Sequence, residues 1–231
     1  MSKNFTQYAF TDSVKKAQAR YGTRDAYRRM EQAGDRYRLS AREAMFIQAR
    51  DSFYMATVGE NGWPNVQFRG GKKGFLRVLD DTTIGYADFR GNGQYISTGN
   101  IAANQKTALI LMDYPNRQRL KIWAEASITE AADDPKLLEQ LEVAGYAGQI
   151  ERLVVLKVEA FDWNCPRHIT PRYTIEEIQS LASVDWIPGQ RQQEITAMNH
   201  APIFVLDKTA SRLTEHGRCQ GLVRDTQMEP K

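Results

Sequence analysis

From Ser52 onward the chain alternates short runs of β-branched and aromatic residues with turn chemistry, and this succession limits the fold more than any other feature. Residues 53–58 (FYMATV) are rich in β-formers. Gly59-Glu60-Asn61-Gly62 follows, and Asn-Gly can supply the positive φ of a tight hairpin. Residues 63–68 return as a second strand, and 75–79 (FLRVL) form a third. Asp80-Asp81 turns the chain into a fourth at 83–87 (TIGYA). Residues 107–113 (TALILMD) are almost continuously apolar, the pattern of a strand buried on both faces. Tyr114-Pro115-Asn116 breaks that run. Residues 120–128 are a further strand with Lys121, Trp123 and Glu125 on one face, and 152–161 (RLVVLKVEAF) are the last clear one. About six strands joined mostly by short turns predict antiparallel pairing. Closing such a sheet removes its exposed edges, so the expectation is a mainly β protein, a barrel with flanking helices rather than an open sheet.

The helices announce themselves by their caps. Residues 1–50 read as a helical N-terminal extension with cap candidates at Thr11, Asp12 and Ser13, and with a basic, solvated surface. Ser40-Ala41-Arg42-Glu43 has capping-box spacing. A short helix is expected over 95–104. Asp133-Asp134-Pro135 starts another, with Leu137, Leu138, Leu141 and Val143 as its apolar side. Thr174-Ile175-Glu176-Glu177 is a second capping box. The domain that begins at residue 51 is expected to end near 183. Beyond it lies a tail, 184–231, of unassigned role, with a possible stray strand at 203–206 and little order expected after 217.

Composition excludes several classes. A net charge of +3 spread over 231 residues is not the concentrated basic face of a nucleic-acid-coating protein. Cys165 and Cys219 lie far apart with no CxxC pair, which fits reduced thiols and a cytoplasmic location. No stretch is apolar enough for a membrane span or a signal peptide. His168, His200 and His216 lack ligand spacing, so no metal is expected. Gly91-Asn92-Gly93-Gln94-Tyr95-Ile96 imitates a dinucleotide fingerprint, but Ile stands where the third Gly belongs and no βαβ unit surrounds it.

Two clusters remain. Arg69-Gly70-Gly71-Lys72-Lys73-Gly74 follows a strand, with glycines that allow close backbone approach and cations that offset phosphate charge; its plain alternative is a surface loop. Asp88-Phe89-Arg90-Gly91-Asn92 follows the next long strand and runs into the 95–104 helix, whose N-terminus offers free amides to an anion; its plain alternative is a strand-to-helix turn. Their occurrence on strand ends close in sequence favours one shared anionic ligand.

The runs VQFRGGKKGFLRVLDD, YADFRGNGQYISTGNIAAN, LILMDYPNRQRLKIWAEA and CPRHITPRY resemble the FMN-binding split-barrel family typified by pyridoxamine 5′-phosphate oxidase. The resemblance implies a split β-barrel and a homodimer with FMN at the interface. Position by position it implies that Gln67, Phe68 and Arg69 line the flavin ring. Lys73, Asp88, Arg90, Gly91, Asn92, Gln94 and Tyr95 would surround the phosphate and ribityl side, and Arg119 and Lys121 would approach the ring. The Arg-rich C-terminal end with which the family's oxidases close over their substrate is missing. Residues 165–172 stand in its place, and they are expected to cover the flavin's open face. His168 and Arg172 are the substrate-binding candidates there, and His168 is the candidate acid–base group, since imidazole exchanges protons near neutral pH. Cys165 reads as a buried thiol with no base beside it. Trp63, Trp123 and Trp163 read as core and interface packing. The activity this implies is an FMN-dependent oxidoreductase acting on a small molecule. The competing readings are a non-catalytic flavin- or haem-binding storage or sensor protein and, less well supported, a nucleic-acid-binding barrel.

Overall fold

The computed structural model describes residues 3–32 and 34–183. The seven strands among them are β1 (Ser52–Val58), β2 (Pro64–Gly70), β3 (Arg77–Asp80), β4 (Thr83–Phe89), β5 (Lys106–Asp113), β6 (Gln118–Glu130) and β7 (Ile150–Trp163). All pair antiparallel in one sheet of order β2-β1-β5-β6-β7-β4-β3. Each of the seven β-like runs named from the sequence forms a strand, one more than the rounded count of about six. The fold is a split β-barrel with no backbone ladder joining its two edges, β2 and β3, so the closed sheet expected from edge protection is not formed. The edges approach through side chains instead.

The first hairpin turns as its residues dictate. Gly62 takes φ +81°, its amide donates to the Gly59 carbonyl, and the Asn61 side chain accepts from the Trp63 amide. In β1 alternate residues are buried, which sends Phe53, Met55 and Thr57 into the barrel. There they join Ile84, Tyr86, Leu109, Leu111, Leu120, Ile122, Val154, Leu156 and Val158. Burying each large aliphatic side chain contributes about 1.5–3 kcal/mol. Phe75 and Leu76, expected at the head of β3, precede it and are buried beside the core because the chain has not yet reached the sheet edge. The 107–113 run is buried on one face only. Thr107, Leu109, Leu111 and Asp113 point inward, and Ala108, Ile110 and Met112 on the outer face are only partly buried.

The helices are α1 (Thr6–Ala9), α2 (Asp12–Arg20), α3 (Arg24–Glu31), α4 (Ala41–Gln48), α5 (Ile96–Ala103), α6 (Pro135–Leu141) and α7 (Ile175–Ser183). Thr11 caps α2, and Asp134 caps α6 by accepting from the Leu137 amide at 3.0 Å. The capping box of α4 forms as spaced, and Glu43 reaches beyond it to accept from Trp163 Nε1 at 2.7 Å. That bond, the Phe46–Trp163 edge contact and the Arg42 guanidinium 4.3 Å over the Trp163 ring clamp α4 to the end of β7. The second capping box forms at Thr174–Glu177. α6 builds a smaller apolar cluster of Leu141, Ala87 and Leu153, so β4 and the first half of β7 are buried on both faces. Phe5 stacks on Trp123, which fits its expected packing role, but Trp63 is 75% exposed and is no part of the core. The 184–231 tail and the suggested 203–206 strand lie outside the described residues.

Candidate functional site

The pleat of β2 divides the predicted ring-lining residues. Gln67 and Arg69 pair across the ladder with the core residues Met55 and Phe53, and Phe68 pairs with Tyr54 on the other face. They therefore belong to two separate groups of side chains.

The inner group is built on one carboxylate. Asp88, at 4% exposure, lies near the end of β4, its Oδ1 accepting from Arg69 Nη1 at 2.5 Å. Its Oδ2 accepts from Arg152 Nε and Nη2 at 3.2 and 2.9 Å. Arg69 comes from one edge strand and Asp88 from the strand next to the other edge, so this ion pair ties the open seam of the barrel. Arg152 also meets Glu151 at 3.0 Å and lies 4.7 Å over the Tyr95 ring, and Glu151 faces the exposed Arg90 at 3.6 Å. Three guanidiniums thus face two carboxylates, leaving one positive charge over. Arg69 Nε is buried with no hydrogen-bond partner among the described residues.

This excess charge sits beside an open helix end. Tyr95 is the N-cap of α5 and adopts φ +50°, a left-handed conformation that costs a non-glycine residue about 1–2 kcal/mol. No side chain caps the helix and its first turn holds no acidic residue, so its amides and positive dipole end remain available to an anion. Arg90, Gly91, Asn92 and Gln94 are all exposed in front of it, and a Cβ on Gly91 would meet nothing within 4 Å. The Asn92 side chain accepts from the Gln94 amide, shaping the turn. Gln67 Oε1 accepts from Ser97 Oγ at 2.8 Å, which links β2 to the first turn of α5. An open depression of about 400 Å³ continues along this side of α5, bordered by Trp63, Asn65, Ile96 and Asn100. Lys73 is exposed on the β2–β3 connection, outside this network. Gly71 has a packing reason of its own there, since a Cβ would lie 2.7 Å from the Phe75 ring.

The outer group runs straight across the sheet. Phe68, Tyr54, Ile110, Lys121 and Asp162 are successive cross-strand partners on one face. Burial pushes the Asp162 carboxyl up from its ordinary range, and the charges of Lys121 and Arg36 pull it back only in part. Arg119 lies two residues from Lys121 on the same face, its Nε buried and unpartnered. Arg172 lies 4.9 Å over the Tyr114 ring, and burial together with the neighbouring Tyr54 pushes the Tyr114 hydroxyl up from its ordinary range. The 164–174 loop thus reaches this face through Arg172. His168 is exposed at φ +63°. Cys165 is exposed rather than buried, because the loop bends away from the core after Trp163.

Sequence reasoning missed Arg152, Glu151, Ser97, Tyr54 and Tyr114. A signal existed for Arg152: it stands in phase with Val154, Leu156 and Val158, and a charged residue on a core-facing position needs a buried counter-ion. The donor set suits FMN. The unpartnered Arg69 Nε, the free α5 amides and the surplus positive charge fit a phosphate. The aromatic and cationic outer row fits a flat, electron-accepting ring.

Comparison with curated proteins gave no match. Among solved structures the chain is similar to a candidate pyridoxamine 5′-phosphate oxidase from Lactobacillus delbrueckii, at 24% identity and TM-score 0.43, over 55% of this chain and 94% of that one. It is similar to HupZ from Group A Streptococcus at 18% identity and TM-score 0.42, over 58% and 100% of the two chains. It is also similar to an FMN-binding protein from Syntrophomonas wolfei at 16% identity and TM-score 0.42, over 53% and 82%. The family model described as pyridoxamine 5′-phosphate oxidase matches residues 39–164, more than half of the sequence and the whole of the sheet. The chain belongs to the pyridoxamine 5′-phosphate oxidase family.

Proposed function

We propose that this chain binds FMN and acts in the cytoplasm as an FMN-dependent oxidoreductase on a small molecule. Bound FMN would supply the two-electron chemistry. The observation that carries the reading is the surplus guanidinium charge, with its unpartnered Arg69 Nε, facing the uncapped N-terminus of α5. Arg90, Asn92, Gln94 and the α5 amides would hold the phosphate, and Lys73 would add charge at longer range. Gln67 would orient the ring from one side and Phe68, Arg119 and Lys121 from the other, while Arg69, beside the ring edge, would turn its free Nε to the phosphate. Arg172 would bind an anionic group of the substrate, and His168, open to solvent, would exchange a proton with it.

The proposal includes a second copy of the chain. The pleat sends Gln67 and Arg69 to one face and Phe68 and Lys121 to the other. One flat ligand meets both groups when the faces come from two protomers, which supports a homodimer with the cofactor between them.

The test is mass spectrometry of the cofactor released from purified protein, followed by cycles of reduction with NAD(P)H and reoxidation in air. FMN release with cycling supports the reading. A colourless protein that ignores added FMN refutes it, and stably bound flavin or haem that never cycles turns it into a storage or sensor role. Arg69→Ala is expected to weaken FMN binding several-fold or more; unchanged affinity refutes the residue assignment.

A further inference from the structure

We infer that Arg152 is the positioning residue that tunes this site for a phosphate-bearing flavin, acting through Asp88 and Tyr95 without touching the ligand. The inference rests on the FMN reading above and adds a residue and a selectivity to it.

Arg152 opens the buried part of β7 directly opposite Asp88 in the ladder, with only 10% of its side chain exposed. Its Nε and Nη2 both take Asp88 Oδ2, while Arg69 takes Oδ1. One carboxylate is therefore shared by two guanidiniums. Without Arg152 the whole charge of Asp88 would fall on Arg69 and cancel it, and an approaching phosphate would meet a neutral pair. With Arg152 in place, Arg69 stays net positive and its buried Nε stays unpartnered.

The same guanidinium holds the helix end. It lies 4.7 Å over the Tyr95 ring, and Tyr95 reaches Glu151 through its hydroxyl at 3.4 and 3.5 Å. Glu151 is itself bound by Arg152 Nη1 at 3.0 Å. Tyr95 is the left-handed N-cap of α5, a conformation that L side chains seldom adopt unless neighbours enforce it. Arg152 and Glu151 are those neighbours, so they set where the α5 amides point. Both effects of Arg152 act on the phosphate end of a ligand and leave the ring end alone. It should therefore discriminate FMN from riboflavin, which carries the same ring without the phosphate.

The experiment is a fluorescence titration of the full chain with FMN and with riboflavin, for the wild type, Arg152→Met and Arg152→Lys. Arg152→Met is expected to weaken FMN binding by about tenfold or more, the loss of one charge-assisted interaction, and riboflavin binding by less than about threefold. Arg152→Lys, which restores charge without the two-nitrogen grip on Asp88, should recover part of the FMN affinity. Equal losses for the two ligands would mean a purely structural role and overturn the inference, as would unchanged FMN affinity. Should Arg152→Met not fold, Tyr95→Leu at its half-exposed position breaks the same linkage. It should weaken FMN alone, and an equal loss or none overturns the inference. A wild type that binds neither flavin, or binds both equally, overturns the FMN reading itself and this inference with it.

Discussion

Asp88→Ala removes the carboxylate on which the seam of the barrel is tied. Asp88 is almost fully buried, and it leaves behind Arg152 with 10% and Arg69 with 17% of their side chains exposed. Removing one partner of a buried pair strands the other charge, which typically costs about 3–5 kcal/mol. Two details move the expectation to the lower end. Arg152 keeps Glu151 at 3.0 Å, and Arg69, on an edge strand, can swing toward water. We expect a loss of about 3 kcal/mol in urea unfolding, a large share of the 5–15 kcal/mol that stabilises a typical domain. The triple variant Asp88→Leu, Arg69→Met, Arg152→Met should recover most of it, because no charge is then left buried. Hydrogen exchange adds a local readout. Among the described strands β2 pairs by backbone only with β1, so its outer amides should exchange faster in Asp88→Ala while those of β6 stay protected. A loss below about 1 kcal/mol with an unchanged m-value would refute the reasoning.

Other outcomes are specific to single positions. Burial pushes the Glu43 carboxyl up, but hydrogen bonds from Ser40 and Trp163 outweigh it and hold the group below the ordinary glutamate range. That stabilisation is present above the unfolded value of about 4.3 and is lost as pH falls through the lower folded value. Glu43→Gln should therefore flatten the acid limb of the melting temperature against pH; superimposable limbs would refute this. Gly71→Ala places a Cβ 2.7 Å from the buried Phe75 ring and should lower stability by about 1–3 kcal/mol. Gly91→Ala, with nothing within 4 Å, should stay within about 0.5 kcal/mol of wild type by the same thermal melt.

What the sequence disclosed and what it concealed follow from the range of the forces involved. The Asn61-Gly62 turn, the Ser40 and Thr174 capping boxes and the Asp134 cap are settled by neighbours three residues away, and each formed where its residues indicate. β-propensity likewise located every strand to within a few residues. The failures are long-range. The 107–113 run reads as doubly buried because an apolar run does not say whether its second face is fully or only partly covered. Cys165 is exposed because the path of the chain around it, not its own preference, decides burial. The clusters at Arg69 and Asp88 were legible as cationic and acidic turns. Their direct ion pair depends on the sheet curling until its two ends meet, which no local pattern records. Arg152 comes from a third strand 64 residues beyond Asp88, so only its phase among apolar neighbours could have marked it.

The alternation of side chains along β2 carries a genetic consequence. In the proposed dimer each site takes Arg69 from one copy and Lys121 from the other. A protein crippled at Arg69 and another crippled at Lys121 would each be inactive alone. Co-expressed, they would form mixed dimers in which one site inherits both lesions and the other inherits none. Two defective alleles would then complement each other within one molecule, whereas two lesions on the same face of the strand never could.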